Sequence, residues 1–340
     1  MKKKFYNNLF NKLKEKGQLN VITIVKGSYK GTSLIGEKCL KSEDEILDVF
    51  WRDILKKINF SNGSTLLKVN DNLEVFIEFV SSKPDLVICG GGHIALPLCQ
   101  LGRMVEFKTT IIDDREEFAN ISRFPMADRV ICKDFSKAID EIKPNRSTYF
   151  VIITRGHKDD RKCLETILKN NFFYVGMIGS KGKISYIINN LLENGFSKEE
   201  ISKLHSPIGL NIGAQTPEEI AVSIIGEIIL EKNQKEASII EENILNSICN
   251  RKEPMILATI IDKHGSCPRG VGTKMLIYEN TEFVGTVGGG SIENAVYEKA
   301  LELIKNRKSS VEVYDLSNSE ASNLGMVCGG SLKVLFEFIE

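Results

Sequence analysis

Two glycine-rich stretches in the last third of this 340-residue chain have the residue types to bind a soft or anionic ligand. Cys328 lies in "GMVCGG", where flanking glycines permit close approach and a thiolate can bind a soft metal or accept sulfur. The stretch "GTVGGGSIE" precedes an amphipathic helix, for which we predict Ser291 as the N-cap. Backbone N–H groups around Gly288, Gly289 and Gly290 would then form an anion site. A small buried cysteine and a loop that serves only packing are the structural alternatives.

A third glycine loop, "CGGGHIA", has the spacing of a dinucleotide-binding turn. Gly90 and Gly92 follow an apolar strand, and Ala95 falls where the third small residue of that fingerprint belongs. Such glycines let a pyrophosphate approach the start of the next helix. Asp113 ends the following strand about twenty residues on, at the position of a ribose-binding carboxylate. The loop therefore predicts NAD or another dinucleotide, with other phosphates or no ligand as alternatives.

Basic residues follow two further apolar strands. Arg155 and His157 lie in "TRGHKDD", and Lys181 and Lys183 lie in "MIGSKGK". In doubly wound folds such positions lie at the carboxyl edge of the sheet, where ligands bind. Each residue alone could be a solvated loop charge, but as a group they favour an anionic ligand.

The elements that position these residues alternate between strand and helix from Asp85 onwards. Five near-continuous apolar strands, "DLVIC", "KTTIIDD", "RVIC", "STYFVIIT" and "FFYVGMIG", are separated by helical patterns. This alternation predicts a Rossmann-like, doubly wound α/β fold with a parallel sheet covered on both faces. Thr216 and Pro217 are the predicted N-cap and first residue of its last helix. The charged stretch "EKNQKEASIIEEN" that follows is predicted to be a helical connector.

The segments before and after this domain repeat one pattern. "VITIVKGSYKGTSLIGEKCL" matches "ILATIIDKHGSCPRGVGTKML", including a Gly-x-Lys in each, and "LEVFIEFV" matches "LKVLFEFI". The earlier copy lacks "GTVGGGS" and "GMVCGG", so it is predicted to be a degenerate scaffold, with convergent patterning as the alternative. The predicted domains are a degenerate small α+β unit (1–82), a Rossmann-like domain (83–235) and an intact glycine-loop unit (236–340).

Composition excludes several classes of partner. Lys plus Arg and Asp plus Glu both number 45, so no net field recruits nucleic acid or an anionic membrane. No apolar run approaches the roughly 18 residues that a membrane span needs. Eight cysteines are scattered without metal-ligand spacing, as expected for reduced core residues of a cytoplasmic protein. The opening "MKKKFYNNLFNKLKEKGQ" predicts a basic amphipathic helix rather than a signal peptide.

The combination of these motifs resembles the XdhC/CoxI family of accessory proteins for xanthine dehydrogenase. The resemblance rests on "GGGHIA", "IIDDREEFANISRFPMAD", "TRGHKDD", "GMIGSKGK", "SPIGLNIGAQTPEEIAVSI", "GSCPRGVGTKML", "GTVGGGSIENAV" and "GMVCGG". It implies a chaperone that binds the molybdenum cofactor, assists its sulfuration with a cysteine desulfurase, and inserts it into an apo molybdenum hydroxylase. It also implies a homodimer.

The same resemblance implies which residues contact the cofactor. Cys328 is the cofactor-contacting cysteine on this analogy, and Ser266 and Arg269 of "GSCPRG" join the glycine loop as binding residues. Cys267 is the weaker cysteine candidate. An NAD(P)-dependent oxidoreductase is the alternative, with a dinucleotide at Gly90 and Asp113 and with His157 transferring a proton. A catalytically inert scaffold for the hydroxylase is a further alternative.

Overall fold

The computed structural model describes residues 2–36, 45–58, 63–234, 237–265, 267, 269–315 and 330–340. The chain divides into two compact units, one formed by Met1–Ser82 together with Glu236–Glu340 and the other by Lys83–Lys235. The first unit contains both segments that the sequence predicts to be copies of one α+β fold. The second contains the predicted Rossmann-like segment. Within the described ranges, no helix has the length and apolar character needed to cross a membrane.

The described residues of the N-terminal segment fold into two helices and four strands. These are α1 (Lys2–Lys16), β1 (Gln18–Lys26), β2 (Ser33–Ile35), α2 (Glu45–Lys57), β3 (Thr65–Asn70) and β4 (Leu73–Ser81). The strands pair antiparallel in the order β2-β1-β4-β3. The predicted amphipathic helix is confirmed as α1, which buries Tyr6, Leu9 and Leu13 along one stripe. Helix α2 packs Trp51 and Ile54 against one face of the sheet.

The second unit is a six-stranded parallel sheet, counted over residues 83–234. Its elements are β5 (Asp85–Cys89), α3 (Ala95–Met104), β6 (Lys108–Asp113), β7 (Arg129–Cys132), α4 (Phe135–Ile142), β8 (Thr148–Ile152), α5 (His157–Leu168), β9 (Tyr174–Met177), α6 (Lys181–Glu193), α7 (Lys198–Ile201), β10 (Leu204–His205) and α8 (Pro217–Asn233). The order β7-β6-β5-β8-β9-β10 is the 3-2-1-4-5-6 order of a Rossmann fold. The predicted fold class is confirmed, and β10 is a sixth strand that the sequence analysis missed.

Burial on both faces of this sheet explains its continuous apolar strands. Helices α4, α5 and α6 pack on one face, and α3 and α8 pack on the other. Along β5, Val87 and Cys89 belong to the first core and Leu86 and Ile88 to the second. The residues of β5 that face either core are therefore apolar. The carboxyl ends of β5, β8 and β9 consequently lie along one edge, where the loops with candidate residues begin.

The sequence predicts the start of the last helix of this domain correctly and the segment that follows it incorrectly. The Thr216 side chain accepts from the N–H of Glu219, whose carboxylate accepts in return, so the predicted N-cap is confirmed as a capping box. The prediction of a helical connector is wrong. Helix α8 ends at Asn233, and the short strand β11 (Ser238–Ile239) pairs parallel with β4. Strand pairing here outweighs the helix propensity of the charged residues, since β3 pairs with β4 only as far as Ile77 and leaves Val80 and Ser81 open on that side.

The C-terminal segment contains a second antiparallel sheet. After α9 (Glu242–Asn250) come β12 (Met255–His264), β13 (Lys274–Tyr278), β14 (Phe283–Gly285), α10 (Gly290–Asn306), β15 (Ser310–Asp315) and β16 (Ser331–Ile339). The strand order is β14-β13-β12-β16-β15. Helix α10 buries Ile292, Val296 and Ala300 against one face of this sheet. The order β13-β12-β16-β15 reproduces β2-β1-β4-β3 of the N-terminal segment.

Matching hydrogen bonds show how the two copies align. The N–H of Gly31 donates to the carbonyl of Ile24 at 2.8 Å, and the N–H of Gly272 donates to the carbonyl of Ile260 at the same distance. Both glycines have left-handed backbones, with φ of 86° and 88°. Gly31 is thus the counterpart of Gly272. The sequence alignment, which matched Gly272 with Gly36 through the Gly-x-Lys pattern, is wrong by five residues at this point.

The copies differ in the connection between their last two strands. In the N-terminal copy Asp71 and Asn72 alone join β3 to β4. In the C-terminal copy residues 316–330, which include "GMVCGG", join β15 to β16. A two-residue connection is enough for the hairpin. The longer segment is therefore an addition to a scaffold that does not need it.

Candidate functional site

The first glycine loop leaves β5 in a conformation that requires glycine. Gly90 has a left-handed φ of 114°, and a Cβ there would collide with the carbonyl of Ile153. A Cβ at Gly92 would meet nothing within 4 Å. Ala95 begins helix α3, and its N–H donates to the carbonyl of Gly92 at 3.2 Å. The loop thus has the predicted strand–turn–helix geometry, with Gly90 as the structurally demanding position.

Asp113 ends β6 beside this loop, but its carboxylate is already fully engaged. Oδ2 accepts from the N–H of Gly91 at 2.8 Å and from Nη2 of Arg115 at 2.9 Å. Oδ1 accepts from Nε of Arg115 at 2.8 Å and from its backbone N–H at 3.1 Å. Burial raises the pKa of Asp113, but these donors outweigh it and hold the pKa below its ordinary value. Since a carboxylate offers about four acceptor positions, none is left for a ribose hydroxyl in this arrangement.

The segment after Asp113 covers the glycine loop. A Cβ at Gly91 would collide with the carbonyl of Phe118, so this backbone lies directly against the loop. Nε of Arg123 donates to the carbonyl of Gly91 at 3.1 Å, and the Arg115 guanidinium lies 3.7 Å from the Phe118 ring centroid. The sequence analysis did not assign Phe118 or Arg123 to the site. Their signal was present in "IIDDREEFANISRF", where two arginines and an aromatic residue follow the carboxylate.

A cavity of about 600 Å³ opens at the carboxyl edge where α5 and α6 begin. It is lined by His157, Lys158, Arg161, Ser180, Gly182, Lys183 and Tyr186. Both helices point their positive N-terminal ends toward this edge. Gly156, the N-cap of α5, provides no side-chain cap. The cavity therefore combines cationic side chains with two helix starts, which suits an anion.

The charges around this cavity are not equally available. Lys183 forms an ion pair with Asp160, which is buried and also accepts from the Thr154 hydroxyl at 2.6 Å. Arg161 lies 3.5 Å from Glu165. Lys158 is exposed on the first turn of α5. Lys183 and Arg161 are thus held by carboxylates, while Lys158 extends into solvent at the cavity.

The sequence-predicted cations are divided by the structure. His157 and Lys183 line the cavity. Arg155 is paired instead with Asp114, at 3.2 Å, and Lys181 is the first residue of α6 rather than a lining residue. The sequence analysis missed Lys158, Arg161 and Tyr186. Arg161 was detectable, because it follows His157 by four residues and shares its helix face.

The glycine loop before α10 is organised by a carboxylate. Oε2 of Glu293 accepts from the N–H groups of Val287, at 3.1 Å, and Gly289, at 3.2 Å, and from the Thr286 hydroxyl. Burial raises the pKa of Glu293, but these donors lower it overall. The carboxylate thus occupies N–H groups that we predicted to bind a ligand. An anion at this loop has to compete with Glu293.

The predicted N-cap of this helix is wrong. Gly289 is the N-cap of α10 and Ser291 is the second helical residue. Gly288, Gly289 and Gly290 have successive φ values of 128°, 76° and 63°, so the chain turns into the helix before it reaches the serine. Glu293 takes the capping role through its hydrogen bonds to the loop.

The "GSCPRG" region is described in part. Sγ of Cys267 lies 3.6 Å from the carbonyl oxygens of His264 and Ser331, and its side chain packs against the core under α10. Arg269 follows in an exposed turn. Ser266 and Cys328 lie outside the described residues, so their roles stay predictions. The described part of the chain contains no group of three His, Cys, Asp or Glu side chains placed to hold a metal ion.

Substitutions at the first glycine loop separate folding from ligand access. We expect Gly90→Ala to lower the free energy of unfolding by about 2 kcal/mol or more, because it combines left-handed strain with a backbone collision. Gly92→Ala is the matched control and should change it by about 0.5 kcal/mol or less, since its Cβ would enter open space. Urea denaturation of both variants measures the difference. Equal losses would contradict the placement of Gly90 against Ile153.

The described fold is that of an α/β protein in which a Rossmann domain is combined with a glycine-loop α+β unit. Two family models match the chain: "XdhC Rossmann domain" over residues 86–228 and "XdhC and CoxI family" over residues 248–315. The chain belongs to the XdhC and CoxI family, as the motifs predicted.

Curated relatives match about half of this chain. An uncharacterized protein, YqeB of Escherichia coli (strain K12), is 32% identical over 164 residues, which are 47% of this chain and 30% of YqeB. A protein of Bacillus subtilis (strain 168) that is described as a probable subunit of xanthine dehydrogenase is 30% identical over 155 residues, 46% of this chain and 45% of that protein. The chain thus spans less than half the length of either relative.

The chain is also similar to a solved structure over part of its length. That structure is a xanthine dehydrogenase from Bacillus halodurans, which is 24% identical to this chain and has a TM-score of 0.46. The match covers 68% of this chain and 65% of that one.

Proposed function

We propose that this protein binds the molybdenum cofactor and assists its sulfuration and insertion into a molybdenum hydroxylase of the xanthine dehydrogenase type. Membership of the XdhC and CoxI family and the name of the Bacillus subtilis relative support an association with that class of enzyme. In this proposal a cysteine desulfurase supplies the sulfur. In this proposal the protein acts as a cofactor-binding maturation chaperone rather than as a stand-alone enzyme.

The cavity at the starts of α5 and α6 carries the proposal. The molybdenum cofactor has a phosphate at one end and a dithiolene-bound metal at the other. His157 and Lys158 offer donors for the phosphate, and the two helix N-termini add their partial positive charge. The volume of about 600 Å³ lies within the range of small-molecule sites.

The soft end of the cofactor calls for a different kind of residue. A thiolate binds soft metals and takes part in sulfur transfer, and Cys328 is the cysteine that the family motif "GMVCGG" provides.

The geometry at Asp113 weighs against the dinucleotide alternative. An NAD-binding carboxylate accepts a hydrogen bond from the ribose. Here Arg115 and the N–H of Gly91 take all four acceptor positions, and the Phe118 backbone lies against Gly91. A ribose would have to displace a bidentate guanidinium from a buried carboxylate, at a cost of several hydrogen bonds.

Native purification followed by mass spectrometry tests this proposal. We expect the protein to retain a pterin. Lys158→Glu should reduce pterin retention about tenfold, because it reverses a charge at the cavity while an acidic residue at this helix start favours folding. Lys169→Glu, at the opposite end of α5, is the matched control and should leave retention unchanged.

Each other outcome of this experiment counts against the proposal. A retained nicotinamide dinucleotide would favour the oxidoreductase. Absence of any small molecule after reconstitution with the cofactor would favour the inert scaffold. Equal retention by the two variants would remove the cavity from the binding site.

A further inference from the structure

The two α+β copies pack against each other through equivalent residues. In the register of their sheets, Val21 pairs with Glu78 and Leu257 pairs with Glu337, and both central strands have a bulge at the same place, after Ile24 in β1 and after Ile260 in β12. The shared core that joins the copies consists largely of counterparts: Leu19 and Met255, Val21 and Leu257, Ile35 and Leu276, and Val80 and Ile339. The packing is therefore reciprocal.

Equivalent helices of the two copies, and a second small apolar cluster, also pack in this reciprocal way. Helix α1 precedes β1 as α9 precedes β12, and both helices bury their apolar residues in the shared core. Val25 with Ile261, and Phe76 with Leu335, form a further cluster of counterparts. The opposite faces of the two sheets are covered separately, by α2 in one copy and α10 in the other.

This arrangement is that of an isologous interface, in which the same surface patch on two partners meets itself about a two-fold axis. We propose that the N-terminal copy fills the surface through which the glycine-loop unit would otherwise pair with a second copy of itself. The two copies lie in one compact unit, formed by Met1–Ser82 and Glu236–Glu340. Within that unit they form, inside a single chain, the kind of interface that joins the two subunits of a homodimer.

Charged residues near the axis distinguish this internal pair from a true homodimer. Glu74 and Lys333 are counterparts, and they pair with each other at 2.7 Å. Two glycine-loop units would place Lys333 against Lys333, where like charges repel. The N-terminal copy therefore fits this surface better than a second chain does. A homodimer of the whole protein has to use another face.

In a second polar pair, both copies have the glutamate but only the C-terminal copy has the lysine. Lys274 forms a buried ion pair with Glu78 of the other copy. The counterpart of Glu78 is Glu337, and the counterpart of Lys274 is Ser33, so the equivalent lysine is missing. Glu337 is served instead by the hydroxyl of Tyr6, at 2.7 Å, and by Lys2, at 3.2 Å. Burial and Glu337 raise the pKa of Tyr6 well above its usual value, so its hydroxyl keeps the proton it donates.

The two-fold relation makes a specific prediction in the full-length chain. A lysine at position 33 should reach Glu337 as Lys274 reaches Glu78. We expect Lys2→Ala to lower the urea midpoint of unfolding, and Ser33→Lys in that background to recover at least half of the loss. Ser33→Met, which adds a similar stem without charge, should recover little. The gain from Ser33→Lys should disappear when Glu337→Gln is added.

A recovery by Ser33→Met equal to that by Ser33→Lys, or a gain that survives Glu337→Gln, would overturn the two-fold assignment. A cross-link checks the pairing within one chain. Glu74→Cys combined with Lys333→Cys should be joined by a short bifunctional thiol reagent, whose spacer replaces the reach of the two side chains, and the monomer mass should stay unchanged in denaturing electrophoresis. A covalent dimer that the single variants do not form would mean that the copies pair between chains.

Discussion

Cys328→Ser is expected to leave the protein folded while activation of an apo hydroxylase falls at least tenfold. The substitution is nearly isosteric, but a hydroxyl lacks the soft, ionisable sulfur that binds a metal or carries sulfur. The segment that contains Cys328 joins β15 to β16, where the N-terminal copy needs only Asp71 and Asn72 to join β3 to β4. A change there should therefore not disturb the sheet. Thermal denaturation and hydroxylase activation, measured together, test both halves of the prediction.

Cys267→Ser is the matched control for this prediction. Its Sγ lies beside two backbone carbonyls, at 3.6 Å from each, and a serine hydroxyl can donate to the same oxygens. We expect little change in either measurement. Cys328→Ser with a lowered melting temperature and full activation would mean that the cysteine serves packing, since a buried hydroxyl without a partner costs about 1–3 kcal/mol.

The Rossmann domain could be predicted because the same pattern, a buried apolar strand followed by a helix, repeats along the chain. Strands such as β5 and β8 are buried on both faces, so their sequences are continuous apolar runs that alternate with helices. β10 escaped notice because two residues, Leu204 and His205, carry no periodicity. Thr216 was found because a cap is a local signal, set by residues three positions apart.

The site was less predictable, because it depends on side-chain direction. The position of Asp113 is correct for a ribose ligand, but the fork of Arg115, two residues on, folds back onto it. The sequence shows that a carboxylate and a guanidinium are close along the chain. It does not show whether the two side chains form hydrogen bonds with each other. Ser291 failed as an N-cap for a similar reason, since Glu293 reaches the loop from the following turn.

Lys274→Met is expected to cause the largest loss of stability, about 3–5 kcal/mol. The ammonium group of Lys274 pairs with Glu78, and both side chains are at least 93% buried. Removal of the lysine leaves a carboxylate in the core with only the Ser238 hydroxyl, at 2.6 Å, as a strong donor. Breaking a buried pair is costly because desolvation of the remaining charge is no longer offset.

Addition of Glu78→Gln to Lys274→Met should recover most of that loss. The amide is neutral, so it has no charge to desolvate, and its oxygen can still accept from Ser238. Glu78→Gln alone should cost less than Lys274→Met, because the carbonyl of Gly272 still accepts from Nζ of Lys274 at 3.2 Å. Urea denaturation of the two single variants and the double variant forms a cycle whose coupling energy measures the pair. Losses that simply add would mean that the two charges do not depend on each other.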